Sequence, residues 1–194
     1  MLAALLSAGC SVFGGSGVEE APYETLVQDG DFEIRRYPSL VVARTAMPPG
    51  DNGAAFGVLF DYITGANQGA RKIEMTAPVV MGRGSDVAMT APVVMDADTM
   101  AFIAPQDFTL DTMPAPTDAR VEIGEIPGRT LAVARFSGYL FDSWIADEER
   151  KLRAWLETQP WSPSGPRERA GYNPPWTLPF LRRNEVLIPV AAEN

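Results

Sequence analysis

The side chains of this chain that could do chemistry are carboxylates, tyrosines, cations, methionines and one thiol, because its 194 residues contain no histidine. Histidine is the usual general base near neutral pH and the commonest metal ligand. Its absence excludes a Ser-His-Asp triad, a Cys-His pair and any metal site with imidazole ligands. The single cysteine, Cys10, excludes an internal disulfide and any CxxC motif. Two groups of residues bear on what chemistry remains. Arg71, Lys72 and Met75 put two cations and an apolar side chain within five residues. Glu74, Glu185 and Tyr172 are available for acid–base work, although nothing in their spacing marks an activated nucleophile or a tuned acid.

These residues must be positioned by strands and two helices. Phe32 to Tyr37 alternates apolar and charged, and Leu40 to Ala46 is rich in β-branched residues, so both read as strands, with Pro38 at the bend between them. Residues 54–66 carry Phe56, Leu59, Phe60 and Ile63 at i, i+3, i+4 and i+7, which puts four large side chains on one helical face above a core. A second helix over about 141–157 carries Ile145, Leu152, Trp155 and Leu156 on one side and a run of charges on the other. The halves also resemble one another. Phe32-Glu33-Ile34 then Pro38 matches Val121-Glu122-Ile123 then Pro127, and Leu40 to Arg44 matches Leu131 to Arg135. Two strand-strand-helix-strand halves would give a pseudo-twofold, mostly antiparallel, strongly curved sheet covered by both helices.

A closer repeat occurs at Met75 to Met81 and Met89 to Met95, seven residues recurring identically. The turn chemistry of Gly82 to Asp86 predicts that the copies pair as a hairpin. Alternation then puts Ile73, Met75, Ala77, Val79 and Met81 on one face, and Pro78 and Pro92, which lack a ladder donor, favour an edge or bulged position.

The 46% hydrophobic content suffices for one substantial core. A net charge of -9, from 16 basic and 25 acidic residues, opposes attraction to nucleic acid. Residues 2–9 form a short apolar run ending in small residues before Cys10, and Ser11 to Gly17 is a Gly/Ser-rich stretch. Leu6-Ser7-Ala8-Gly9-Cys10 resembles a bacterial lipobox, so the expected organisation is a signal-peptide end over 1–9, a tether over 10–21 and a domain over 22–190. Cys10 is then the lipidation site of an envelope lipoprotein facing the periplasm, with the outer membrane favoured over the inner, and this anchor is its only membrane contact. A disordered tail with an incidental cysteine is the plainer alternative.

Tyr23-Glu24, Phe32 to Tyr37, Tyr62 to Asn67, the Met-Thr-Ala-Pro-Val repeat, Phe136-Ser137-Gly138, Tyr172 to Thr177 and Arg182 to Val186 occur in an order that resembles the SOUL/heme-binding-protein family over about residues 22–190. The resemblance implies an α+β fold: a distorted, mostly antiparallel β-barrel of two pseudo-symmetric halves flanked by two helices. It implies noncovalent binding of heme or another porphyrin, and a binding protein rather than an enzyme. A porphyrin needs a flat apolar slot and rim cations for its propionates, and the family segment corresponding to Arg71, Lys72 and Met75 lies beside the groove. These three residues, with Phe56, Phe60 and Ile63 on the first helix, form the candidate binding set.

Each member also has a plainer reading, Arg71 and Lys72 as a solvated loop pair and the rest as core. Some family members have been associated with a histidine axial ligand, which this chain lacks. Any iron ligand must be Met, Tyr or Lys, and no sequence feature chooses among Met75, Met81, Met89, Met95 and the five tyrosines. Two other functions compete. One is a small-molecule hydrolase on the related gyrase-inhibitor-like fold, with Glu74, Glu185 and Tyr172 as its acid–base groups. The other is an envelope interaction protein with a vestigial pocket. Oligomeric state is not legible.

Overall fold

The computed structural model describes residues 19–48, 51–83, 98–173 and 177–193. Cys10 and the second copy of the repeat therefore lie outside the described residues. The strands are β1 (Glu19–Glu20), β2 (Glu24–Asp29), β3 (Phe32–Tyr37), β4 (Leu40–Ala46), β5 (Thr76–Arg83), β6 (Asp98–Ile103), β7 (Glu122–Ile126), β8 (Arg129–Phe136), β9 (Trp161–Pro163), β10 (Glu168–Gly171) and β11 (Asn184–Ala192). The helices are α1 (Asn52–Thr64) and α2 (Asp142–Leu156). One sheet runs β2-β3-β8-β11-β10-β5-β6-β4-β7, with β1 beside β5 and β9 beside β11. All its pairings are antiparallel except β1 with β5. The path ends at β2 and β7 without closing, so the expected barrel is a partly curled sheet.

The expected duplication is visible in the pairing. β3 pairs with β8, and their counterparts β7 and β4 pair with each other. Each half sends its helix across the sheet over its own apolar cluster. Beneath α2, Ile145, Leu152, Trp155 and Leu156 pack on Ile34, Ala132, Val186 and Ile188, all of them buried. This is the face the sequence pattern predicts. Its charged side carries the pairs Lys151–Glu148 and Arg153–Glu149.

The stripe on α1 differs from expectation. Its buried residues are Ala55, Leu59, Tyr62 and Ile63, while Phe56 is half-buried and Phe60 is 43% exposed. The buried arc centres on Leu59 and Ile63, one turn apart, and Phe60 sits 100° on from Leu59, past its edge. Phe60 instead stacks on Phe56, with ring centroids 5.9 Å apart.

Of the two Met-Thr-Ala-Pro-Val copies expected to pair as a hairpin, only the first lies among the described residues. β5, which holds most of the first copy, is flanked by β6, with Met81 opposite Met100, and by β10, with Met81 opposite Arg169. These two strands take both hydrogen-bonding edges of β5. The ladder loses register between Thr76 and Val79, around Pro78, as expected of a residue without an N–H. This irregularity breaks the predicted alternation: Ile73, Met75, Val79 and Met81 pack toward α1, whereas Ala77 and Val80 join the cluster between the curled sheet's walls.

Candidate functional site

The turn after α1 determines where the candidate cations stand. Gly65 ends the helix with a φ of +134°, a conformation that favours glycine, and its N–H reaches the Tyr62 carbonyl. Asn67, buried two residues later, then binds the chain back on itself. Its Nδ2 donates to the Tyr62 and Arg71 carbonyls at 2.7 and 2.8 Å, and its Oδ1 accepts the Arg71 N–H at 2.9 Å. The Ile73 N–H donates to the Ile63 carbonyl at 2.8 Å, fixing the next two residues against the helix end. Arg71 and Lys72 are thereby held exposed beside the last turn of α1.

The Arg71 guanidinium lies 5.7 Å from the centroid of the Phe108 ring. Phe108, Phe56 and Met75 are all half-buried at the margin of the cluster under α1, and Phe56 meets Phe102 edge-on at 5.3 Å. Ile63 belongs to that cluster's buried interior. The structure thus groups Phe56, Ile63 and Met75 around one apolar cluster, with Phe60 stacked outside on Phe56 and the two cations at the loop beyond. Phe108, which sequence reasoning missed, carries no motif; only the tertiary fold brings it under Arg71.

A cavity of about 420 Å³ opens on the other side of α1, lined by Arg44, Ala54, Val58, Arg120 and Glu122 among others. None of the six predicted residues lines it. Its cations are engaged: Arg44 pairs with Glu122 at 3.1 Å, and Arg120 with Asp118 at 2.6 Å. The repeated carboxylates are accordingly ion-pair members, Glu122 with Arg44 and Glu33 with Arg35 at 2.7 Å.

Two of the three candidate acid–base residues, Glu185 and Tyr172, meet inside the curled sheet. Glu185, on β11, is 0% exposed. Arg35 donates to its two oxygens at 2.9 and 3.1 Å, Arg183 donates twice to Oε1 at 2.9 and 3.1 Å, and the Tyr172 hydroxyl donates to Oε2 at 2.6 Å. Burial by itself would raise the Glu185 carboxyl, but Arg35 and Arg183 hold it below the usual carboxylate range. Burial pushes the Tyr172 hydroxyl well above its ordinary value. A carboxylate accepting five charge-assisted or phenolic hydrogen bonds has no lone pair left for a substrate proton. Glu74 stands apart from this cluster, exposed on the segment before β5. Glu185 and Tyr172 are therefore members of a structural ionic cluster, and the hydrolase reading finds no acid or base here.

The same accounting bears on iron ligation. The Tyr62 hydroxyl donates to the Pro114 carbonyl at 2.8 Å, and burial pushes it up to about 12. Tyr37 is likewise pushed up to about 12 by burial. With Tyr172 these are poor phenolate donors. Among the described residues no group of three or more Cys, Asp or Glu side chains could hold a metal ion. The α1 margin offers rings and cations for a macrocycle with carboxylates, but no committed iron ligand.

The chain is similar to several known proteins. Mouse heme-binding protein 1 is 29% identical over 182 residues, covering 90% of this chain and 87% of its own. Among solved structures, the C-terminal domain of EcmrR superposes with a TM-score of 0.58 at 14% identity, covering 88% of this chain and 98% of its own. A hydrolase from Listeria innocua superposes with a TM-score of 0.55 at 11% identity, covering 86% of this chain and 94% of its own. At such identities the two structures share the fold with this chain. The family model described as SOUL heme-binding protein matches residues 18–189, and the chain belongs to that family.

Proposed function

We propose that this protein binds heme or another tetrapyrrole noncovalently along the margin of α1, without histidine ligation, as a store, carrier or buffer at the bacterial cell envelope. The observation that carries the reading is the juxtaposition of Arg71 over Phe108 with Lys72 exposed beside it, next to the half-buried Phe56 and Met75, in a SOUL-family chain. The rings and the thioether would cover the macrocycle's apolar face, and the two cations would meet its propionates. Cys10 would anchor the domain, the lipobox-like residues before it being the support for that part.

Hemin titration tests the binding. A saturable Soret change at one-to-one stoichiometry is expected, and iron-free protoporphyrin should bind with similar affinity because no imidazole contributes. A flat titration from a protein that still melts cooperatively would refute the proposal. Protoporphyrin binding a hundredfold weaker than hemin would instead move the weight to iron coordination. Mass spectrometry of membrane-extracted native protein tests the anchor: an unmodified internal Cys10 would end it.

A further inference from the structure

Among the described residues eight large hydrophobic side chains are exposed, and six of them, Tyr139, Phe141, Trp144, Leu178, Phe180 and Leu181, come from only two segments. Those segments are fastened together. The Gly138 N–H donates to the Pro179 carbonyl at 2.8 Å, and buried Asn184 donates from Nδ2 to the Gly138 carbonyl at 3.0 Å. The rings are ordered among themselves: Tyr139 stacks on Phe141 at 4.9 Å, and Trp144 meets both edge-on at 6.3 and 6.0 Å. Gly138 takes a φ of +111° against Trp144, and a Cβ there would lie 2.3 Å from the indole. The Arg182 guanidinium sits 5.2 Å from the Tyr139 ring centroid. Phe180 is 70% exposed and Leu181 63%, and a contiguous exposed apolar patch of this kind marks an interaction surface.

The same end of the molecule receives the N-terminal chain. Arg183, next to Arg182, pairs with Glu20 of β1 at 3.0 Å, so the chain leaves the domain beside this face. Eight residues separate Cys10 from Glu19, a span of at most about 30 Å when fully extended. A lipid on Cys10 would therefore hold this face near the bilayer.

We propose that this aromatic face rests on the surface of a lipid bilayer. Tryptophan and tyrosine combine an apolar body with a polar edge and suit the headgroup boundary, where leucine and phenylalanine enter the acyl region. Among the described residues no helix is long and apolar enough to cross a membrane. A zwitterionic surface fits better than a second copy, because two chains each carrying a net charge of -9 repel one another. The proposal uses the anchor of the proposed function to bring the face to the membrane, but the face's own affinity does not depend on the lipid.

The test uses the full chain carrying Cys10→Ser, which removes any lipid, with vesicles of phosphatidylcholine and phosphatidylethanolamine. Flotation should show weak, salt-insensitive partitioning, and brominated lipid should quench fluorescence in this chain but much less in Trp144→Phe. Phe141→Ser/Phe180→Ser/Leu181→Ser should lower partitioning at least tenfold while keeping hemin binding. Phe180→Ser/Leu181→Ser, confined to the most exposed positions, serves should the triple variant melt early, and should lower it at least threefold. Absence of partitioning by the Cys10→Ser chain, or equal partitioning by these variants, overturns the proposal. So does a dimer in sedimentation that the variants dissociate, which would assign the face to a second copy. An unmodified Cys10 in native protein removes the anchor without changing any of these vesicle results.

Discussion

Tyr172 donates a 2.6 Å hydrogen bond to Glu185 inside the curled sheet, and that glutamate also holds Arg35 from across 150 residues of sequence. Arg35 is 1% exposed and packs over the Tyr23 ring at 4.3 Å, while Arg183 packs over the Tyr172 ring at 3.9 Å. The cluster thus joins β3, the residue after β10 and β11 through one carboxylate, with Tyr23, just before β2, packed on Arg35. Glu185→Gln removes the shared buried counter-charge, leaving Arg35 with Glu33 and Arg183 with Glu20 as their remaining partners, and should cost about 3–5 kcal/mol. Chemical denaturation measures this directly. Arg36→Ala, which breaks the exposed pair with Glu24, should cost less than about 1 kcal/mol in the same assay.

The same carboxylate sets an acid limit. Its folded value lies below the ordinary one, so its contribution to stability is full above about pH 4.5 and is lost as pH falls through the depressed folded value. The stability gap between the natural chain and Glu185→Gln should narrow between pH 5 and pH 3 in urea titrations. A constant gap would contradict the assignment. At the alkaline end the sign reverses: Tyr37 is raised to about 12, so its contribution is full below about pH 10 and is lost as pH rises through 12.

Asn67 couples stability to the candidate site. Asn67→Ala would strip partners from the Tyr62 and Arg71 carbonyls and the Arg71 N–H, at a cost of about 2–3 kcal/mol. It should also weaken hemin binding, since the loop presenting Arg71 and Lys72 would lose its tie to α1. Melting and Soret titration on the same variant check both effects.

Arg71→Ala/Lys72→Ala should leave melting unchanged, because both side chains are exposed. Hemin affinity should fall about tenfold to thirtyfold, about 1 kcal/mol for each charge contact. Raised salt should reproduce part of the loss in the natural chain and little of it in the variant.

The elements of this fold were legible because their signals are local. The 3.6-residue period of Ile145, Leu152, Trp155 and Leu156 marks α2 and the face it buries, and the alternation of Phe32 to Tyr37 marks β3 as a strand, although charged Arg35 is buried in it. The two halves announce their symmetry by repeated strand motifs, and the sheet pairs those motifs across it. The candidate cations were legible too, since Arg71 and Lys72 are neighbours in the chain.

What tertiary structure alone decided is which residues meet when the chain separates them widely. Strand pairing is set by how many ladders the whole sheet can satisfy, and β5 lies between β6 and the distant β10, a placement no local pattern announces. Phe60 has the spacing of a core residue, yet the arc of α1 that faces the sheet is fixed by Tyr62, whose hydroxyl is drawn in to the Pro114 carbonyl. Glu185 looked like an available acid because a sequence lists its charge without its partners. Arg35, Arg183 and Tyr172 converge on it only once the sheet has curled, and at that point burial, which raises the strength of every charge contact, turns a candidate acid into a structural anion.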